Sequence, residues 1–153
     1  MPVPHFYESD AMMDLTKSFP RSPRATLMGL PMLPRTIDKA RASIDGTLGE
    51  YVFGEKSSFD MALLEFLAVK PDAFRDGVRA SADDAAVESW IRSNARKFTP
   101  EEADVFARVF TNDGDDDADR ARFQERRAKL AAHVQPKVTG WVDLLDVAEG
   151  RIA

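Results

Sequence analysis

Six cations and one acid lie between Lys17 and Arg41: Lys17, Arg21, Arg24, Arg35, Lys39 and Arg41 against Asp38. This local excess of positive charge sits in a chain whose net charge is -5. Pro20, Pro23, Pro31 and Pro34 share the stretch, so its backbone is held extended or turned rather than free to coil into one helix. Guanidinium groups suit two-point contacts to phosphate or carboxylate, and Arg21, Arg24 and Arg35 on a stiff arm could cradle such an anion. Arg35 stands in the first turn of an expected helix, where the dipole favours an anion over a cation. Lys39 lies one turn further on the same face, a like-charge pair that repels by about 0.2–0.5 kcal/mol. Both placements call for a negative partner, either a bound ligand or an internal carboxylate from Asp14, Glu50 or Glu55.

Asp38, Glu50 and Tyr51 form the second constellation. A carboxylate among arginines stays ionised, which makes Asp38 a poor general acid and a natural salt-bridge partner. Glu50 is the alternative proton-handling group, and Tyr51 offers a hydrogen bond to a ligand or a ring to the core. Metal ligation has little support, because His5 and His133 lie far apart and neither has a second histidine one turn away. The acidic run from Asn112 to Asp119 looks like a calcium loop but fails its spacing. With Gly114 at position six, positions one, three and five fall on Val109, Thr111 and Asp113, and position twelve on Arg120. Cysteine is absent, no Gly-x-Ser-x-Gly elbow exists, and no glycine-rich phosphate loop occurs. No cofactor is expected.

A chain of 153 residues with 44% apolar and 31% charged residues reads as one soluble domain over 1–153. The start lacks the charged and apolar pattern of a signal peptide, and no apolar run approaches the roughly 20 residues of a membrane helix. The expected compartment is the cytoplasm, and the acidic balance argues against nucleic-acid binding.

Residues 1–32 read as an arm packed on a helical body spanning 33–153, with Met12, Met13 and Leu15 available to pack. Leu33, Ile37, Ala40 and Ile44 form the apolar stripe of a first helix, with Pro34 in its first turn and Gly46 at its end. The Tyr51-Val-Phe run between glycines reads as a loop, since no partner strand is evident. Ser57 with Asp60 starts a helix carrying Phe59, Leu63, Phe66 and Leu67. Pro71 opens another with Phe74 and Val78 inward. Ser81 with Asp84 starts the next, with Val87, Trp90 and Ile91. Thr99-Pro-Glu-Glu is the clearest start signal, followed by the stripe Phe106, Val109 and Phe110. A charged helix with Phe123, Leu130 and Val134 inward stops before Pro136; its cations from Arg120 to Lys129 read as a solvated face. A last helix from about Gly140 to Glu149 places Trp141, Leu144, Leu145 and Ala148 on one side. Trp90 and Trp141 read as core. The sum is an all-α fold, a compact bundle of six to seven helices with an extended Pro/Arg-rich N-terminal arm.

Asp14-Leu-Thr-Lys-Ser-Phe-Pro-Arg-Ser-Pro-Arg, Leu33-Pro-Arg-Thr-Ile-Asp-Lys-Ala-Arg-Ala, Gly46-Thr-Leu-Gly-Glu-Tyr and Trp141-Val-Asp-Leu-Leu-Asp-Val-Ala-Glu-Gly-Arg resemble a bacterial family catalogued as domain of unknown function 5069. The resemblance reaches from residue 14 to 151. It implies a compact bacterial domain and brings no activity, cofactor or catalytic residue with it. Three functional expectations remain open. One is a non-catalytic binding or regulatory protein recognising a small anionic ligand or acidic partner through Arg21, Arg24 and Arg35, with Lys39 and Tyr51 beside them. Another is an enzyme on a phosphorylated or carboxylated small molecule, with Asp38, Glu50 or Tyr51 handling protons. The third is a helical module that pairs with a protein partner or with its own copy.

Overall fold

The computed structural model describes residues 13–153. His5, Met12 and the first prolines lie outside the described residues. Among those described, seven helices and one two-stranded hairpin make a mostly all-α fold. Helix α1 (Leu33–Asp45) is buried continuously from Leu33 to Ala42. A helix covered on all sides is the centre of its protein. Its apolar side, Leu33, Ile37 and Ala40, packs with Leu63, Leu64 and Leu67 of α2 (Ser58–Leu67) and Phe74 and Val78 of α3 (Pro71–Arg79). Val87 and Ile91 of α4 (Asp84–Asn94) complete that layer. Fully burying each such side chain stabilises the fold by about 1.5–3 kcal/mol.

Helix α5 (Pro100–Phe110) begins with the expected capping box. The Glu102 N–H donates to Thr99 Oγ1 at 3.1 Å, and the Thr99 N–H donates to Glu102 Oε1 at 2.9 Å. Its Phe106 meets Phe66 at 4.8 Å between centroids, the two rings tilted by 40°. Helices α6 (Asp117–Ala128) and α7 (Trp141–Ala148) share a smaller cluster of Phe123, Val134 and Val138 with Trp141 and Leu144 packed against it. No helix of the described residues is long and apolar enough to cross a membrane.

Several elements depart from the sequence reading. The arm contains a short antiparallel hairpin, β1 (Thr26–Leu27) with β2 (Leu30–Pro31), turned by Met28 and Gly29. Two-residue strands leave too little alternation to be read in a sequence. Helix α4 is capped by Asp83 rather than Ser81, whose hydroxyl instead donates to the Gly77 carbonyl inside the fold. Val109 is 54% exposed, because Ala103 and Phe110 set the inward face of α5. The charged helix ends at Ala128, well before Pro136. Its last carbonyls are taken by i−3 bonds from Lys129 and Leu130 and by the Gln135 side-chain amide, so Val134 reaches the core from a turn.

The largest correction concerns α7. Its buried face is Val142, Asp143 and Asp146, with Glu149 just beyond, whereas Ala148 is exposed. Gly140 before it has no room for a side chain: a Cβ there would stand 2.0 Å from the Thr111 carbonyl oxygen. That close approach lets the Trp141 N–H donate to the Asn112 carbonyl at 3.2 Å, which fixes the angle at which the acidic face of α7 meets the arm.

Candidate functional site

Asp143, Asp146 and Glu149 recur every three residues, so a single helix turns all three carboxylates towards one side. Against them lies the arm. The Arg24 guanidinium donates to Asp143 at 2.5 and 3.0 Å. The Ser22 hydroxyl donates to Asp146 at 2.8 Å. Arg35, from the first turn of α1, grips both oxygens of Glu149 at 2.9 and 2.6 Å and also donates to the Arg21 carbonyl at 3.1 Å. Arg151, just past α7, reaches Asp146, Glu149 and the Pro20 carbonyl.

One rung further out, Arg21 joins three elements. Its Nε and Nη2 donate to Asp38 of α1 at 3.1 and 3.0 Å, and its Nη1 donates to Asp84 of α4 at 2.6 Å. The backbone N–H of Arg21 adds a bond to Asp38 at 2.8 Å. Lys39 turns away from the arm altogether. Its ammonium meets Asp60 of α2 at 2.9 Å, where the Asp60 carboxylate also accepts from Thr36 and from the Gly54 N–H, each at 3.0 Å.

The expected negative partners of the arginines are therefore corrected. Asp14 sits 3.9 Å from Lys17, and exposed Glu50 and Glu55 meet none of Arg21, Arg24 and Arg35. Asp60 is also more than the cap partner expected at Ser57. It donates its N–H to Ser57 but sends its side chain inward to Lys39.

Tyr51 closes the inner rung. Its hydroxyl donates to Glu149 at 2.7 Å, and the Arg35 guanidinium lies over its ring at 5.5 Å. Burial pushes the phenol up, the Glu149 carboxylate pushes it further, and it reaches about 12. Burial also pushes Glu149 up, but the bonds from Arg35, Tyr51 and Arg151 outweigh this and hold its carboxyl at about 2. Burial raises Asp143 as well, and the Arg24 and backbone bonds overcome it to leave a net lowering. The Arg21 bond lowers Asp84.

These directions fix a pH dependence. Glu149 binds its proton far less readily folded than unfolded, so its stabilisation is complete above about pH 4.5 and is lost as pH falls towards 2. Loss of the arm is expected first, read at each pH as the hydrogen-exchange protection of the Arg21 N–H, which donates to Asp38. Equal protection factors at pH 3 and pH 6 would mean that the carboxylates are not what holds the arm.

Two open clefts flank this network, and Tyr51 lines both. One, of about 760 Å³, runs between Lys17, Phe19, Glu50 and Leu145. The other, of about 880 Å³, is floored by Phe53, Met61 and Leu64 and rimmed by charges of both signs. Among the described residues no three His, Asp or Glu side chains converge as metal ligands. The structure thus unites Arg21 with Asp38, and Arg35 with Tyr51. Arg24, Lys39 and Glu50 stand apart. Sequence reasoning missed Asp84, Asp143, Asp146, Glu149 and Arg151, although the three-residue spacing of the α7 acids was a legible signal.

The fold and this network define a helical protein whose N-terminal arm is tied to its C-terminal helix through buried charge. The chain belongs to the family described as domain of unknown function DUF5069, whose sequence model matches residues 17–151. A search of the curated proteins finds no match.

Proposed function

We propose that this protein is a non-catalytic binding domain for a small anionic ligand, in which Arg21, Arg24 and Arg35 build the frame and do not contact the ligand. One observation carries the framing role: each of the three arginines has a carboxylate partner within the protein, at 2.5 to 3.0 Å, which leaves ligand binding to the open clefts of the fold. The enzyme alternative loses ground on proton chemistry. Of its proton-handling candidates, Tyr51 is held at about 12 and resists giving up its proton near neutrality, where general acid–base groups work best, and Asp38 is tied to Arg21.

The test is thermal unfolding against phosphorylated metabolites, nucleotides, dicarboxylates and fatty carboxylates, on the wild type and Arg24→Ala. Asp143 keeps its bonds from the Thr139 and Gly140 N–H groups when the half-exposed Arg24 is removed, so this variant is expected to fold. A ligand at about a hundred times its dissociation constant adds roughly 2.7 kcal/mol to the native state. The same upward shift is expected in both proteins. A shift lost only in Arg24→Ala would make the arm the site, and no shift with any compound would remove the binding reading.

A further inference from the structure

A third cleft, of about 560 Å³, opens between the hairpin tip, the end of α4 and the first turn of α5. Its volume lies within the range of sites that enclose small ligands, roughly 300–1,000 Å³. Met28, Ile91, Phe98 and Ala103 give it an apolar lining. Around that lining stand Arg92, Arg96 and Lys97 against the single acid Asp104. In four other clefts among the described residues, acids match or outnumber cations, or cations exceed acids by one only. The surplus positive charge that the arm presents in sequence is spent on internal carboxylates. This cleft keeps its own.

The three cations differ from the arm arginines in what they touch. Arg96 is fixed in place, and its carboxylate partner, Glu102, lies on the surface rather than inside the fold. Its guanidinium lies 4.4 Å from the Phe66 ring, its Nε donates to the Phe66 carbonyl at 2.5 Å, and its Nη1 reaches the Lys97 carbonyl and Glu102. Among the described residues Nη2 of Arg96 makes no hydrogen bond. Lys97 donates to the Arg92 carbonyl at 2.8 Å and meets no carboxylate among the described residues. The Arg92 side chain is 61% exposed and, among the described residues, has only an i, i+4 contact to Glu88 at 3.2 Å. Such a surface pair holds its partner weakly and leaves it free to re-pair with an incoming anion.

The hairpin tip supplies the opposite wall. Met28 and Gly29 are both left-handed, with φ of 57° and 74°. A non-glycine residue pays strain for that conformation. The turn sets the tip directly on α5, where a Cβ at Gly29 would lie 3.7 Å from that of Ala103. A methionine there presents a flexible, polarisable surface able to fit apolar groups of varied shape.

We infer that this cleft binds a small amphiphilic anion, a carboxylate or phosphate head on an apolar body, with the head at Arg92, Arg96 and Lys97 and the body on Phe98 and Met28. This rests on the binding reading above and names its site and ligand class. The experiment is an amide NMR titration of the full chain with octanoate, octyl phosphate and octylammonium, on wild type and on Arg92→Glu with Lys97→Glu. Both replaced side chains are on the surface, and a matching thermal midpoint confirms that the fold is kept. Octanoate or octyl phosphate is expected to move the amides of Gly29, Lys97 and Phe98, with at least a tenfold loss of affinity in the double variant. The tighter of the two names the head group. Octylammonium binding as tightly as the anions, or unchanged anion affinity in the variant, overturns the inference. Anion-induced shifts confined to the Tyr51 clefts overturn this site while the binding reading stands. If neither the anions here nor any compound in the thermal panel binds, both fall.

Discussion

Arg35→Ala is expected to lower the folding free energy by about 3–5 kcal/mol, the usual consequence of stranding one member of a buried ion pair. Arg35 and Glu149 are both almost entirely buried, at 2% and 9% exposure. Truncating the arginine removes two charge-assisted bonds and the tie to the Arg21 carbonyl together. Against a total stability of roughly 5–15 kcal/mol for a domain, that loss is large. At about 2–4 °C per kcal/mol for a chain of this size, the thermal midpoint falls on the order of 10 °C. Arg35→Lys keeps the charge but not the fork, and is expected to fall between wild type and alanine.

A double variant separates stranded charge from lost packing. Arg35→Met with Glu149→Leu removes both charges and keeps most of the volume, and such replacements are often neutral or stabilising. Recovery here stays partial, because the Tyr51 hydroxyl and Arg151 also lose Glu149 as acceptor. Urea unfolding measures the stability, and trypsin cleavage at Arg21 and Arg24 reports arm release. A loss under about 1 kcal/mol in Arg35→Ala, the size of an exposed pair, would show that the inner rung does not hold the fold.

The elements whose start and stop chemistry is local were legible from residues alone. Thr99-Pro-Glu-Glu caps α5 as read, and Gly46 ends α1 in the left-handed region. The misread features share one physical origin. Apolar periodicity assigns the polar face of a helix to solvent, yet α1 buries Arg35, Asp38 and Lys39, and α7 buries Asp143 and Asp146. A buried polar face needs complementary charges from distant chain segments, and 114 positions separate Arg35 from Glu149. No local window contains both partners. The excess charge of residues 17–41 did carry information, since it demanded an acid; only the identity of that acid depended on the fold. The cleft at Arg92, Arg96 and Lys97 was less visible still, because its apolar lining comes from the hairpin tip and α5 as well as from α4.

Asp60→Asn is the second variant with a large expected effect, again about 3–5 kcal/mol, for a reason that a pH series can isolate. Asp60 is fully buried and serves Lys39, Thr36 and the Gly54 N–H at once. An asparagine of nearly the same shape has one oxygen for these donors and turns its amide towards another, so a donor is left facing a donor. It also strands the Lys39 ammonium, whose side chain is only 5% exposed. Burial already holds Lys39 below its usual lysine range despite the attraction of Asp60, with Arg35 adding to the lowering. The unfolded chain therefore binds the Lys39 proton more tightly than the folded one, and stability from this group rises with pH towards its unfolded value. Removing the Asp60 charge widens that gap. The deficit of Asp60→Asn relative to wild type is expected to be greatest near pH 6 and to shrink steadily by pH 9.5, as folded Lys39 sheds its proton. Taking the difference at each pH cancels the groups common to both proteins, and stopping at pH 9.5 keeps Tyr51 protonated in the folded state. Adding Lys39→Met is expected to abolish the pH dependence of the deficit while leaving the unpaired Thr36 and Gly54 donors as a smaller constant loss. A deficit that is flat from pH 6 to 9.5 would place the damage in the hydrogen bonds to Gly54 and Thr36, and would mean that the buried lysine is not what Asp60 is there to hold.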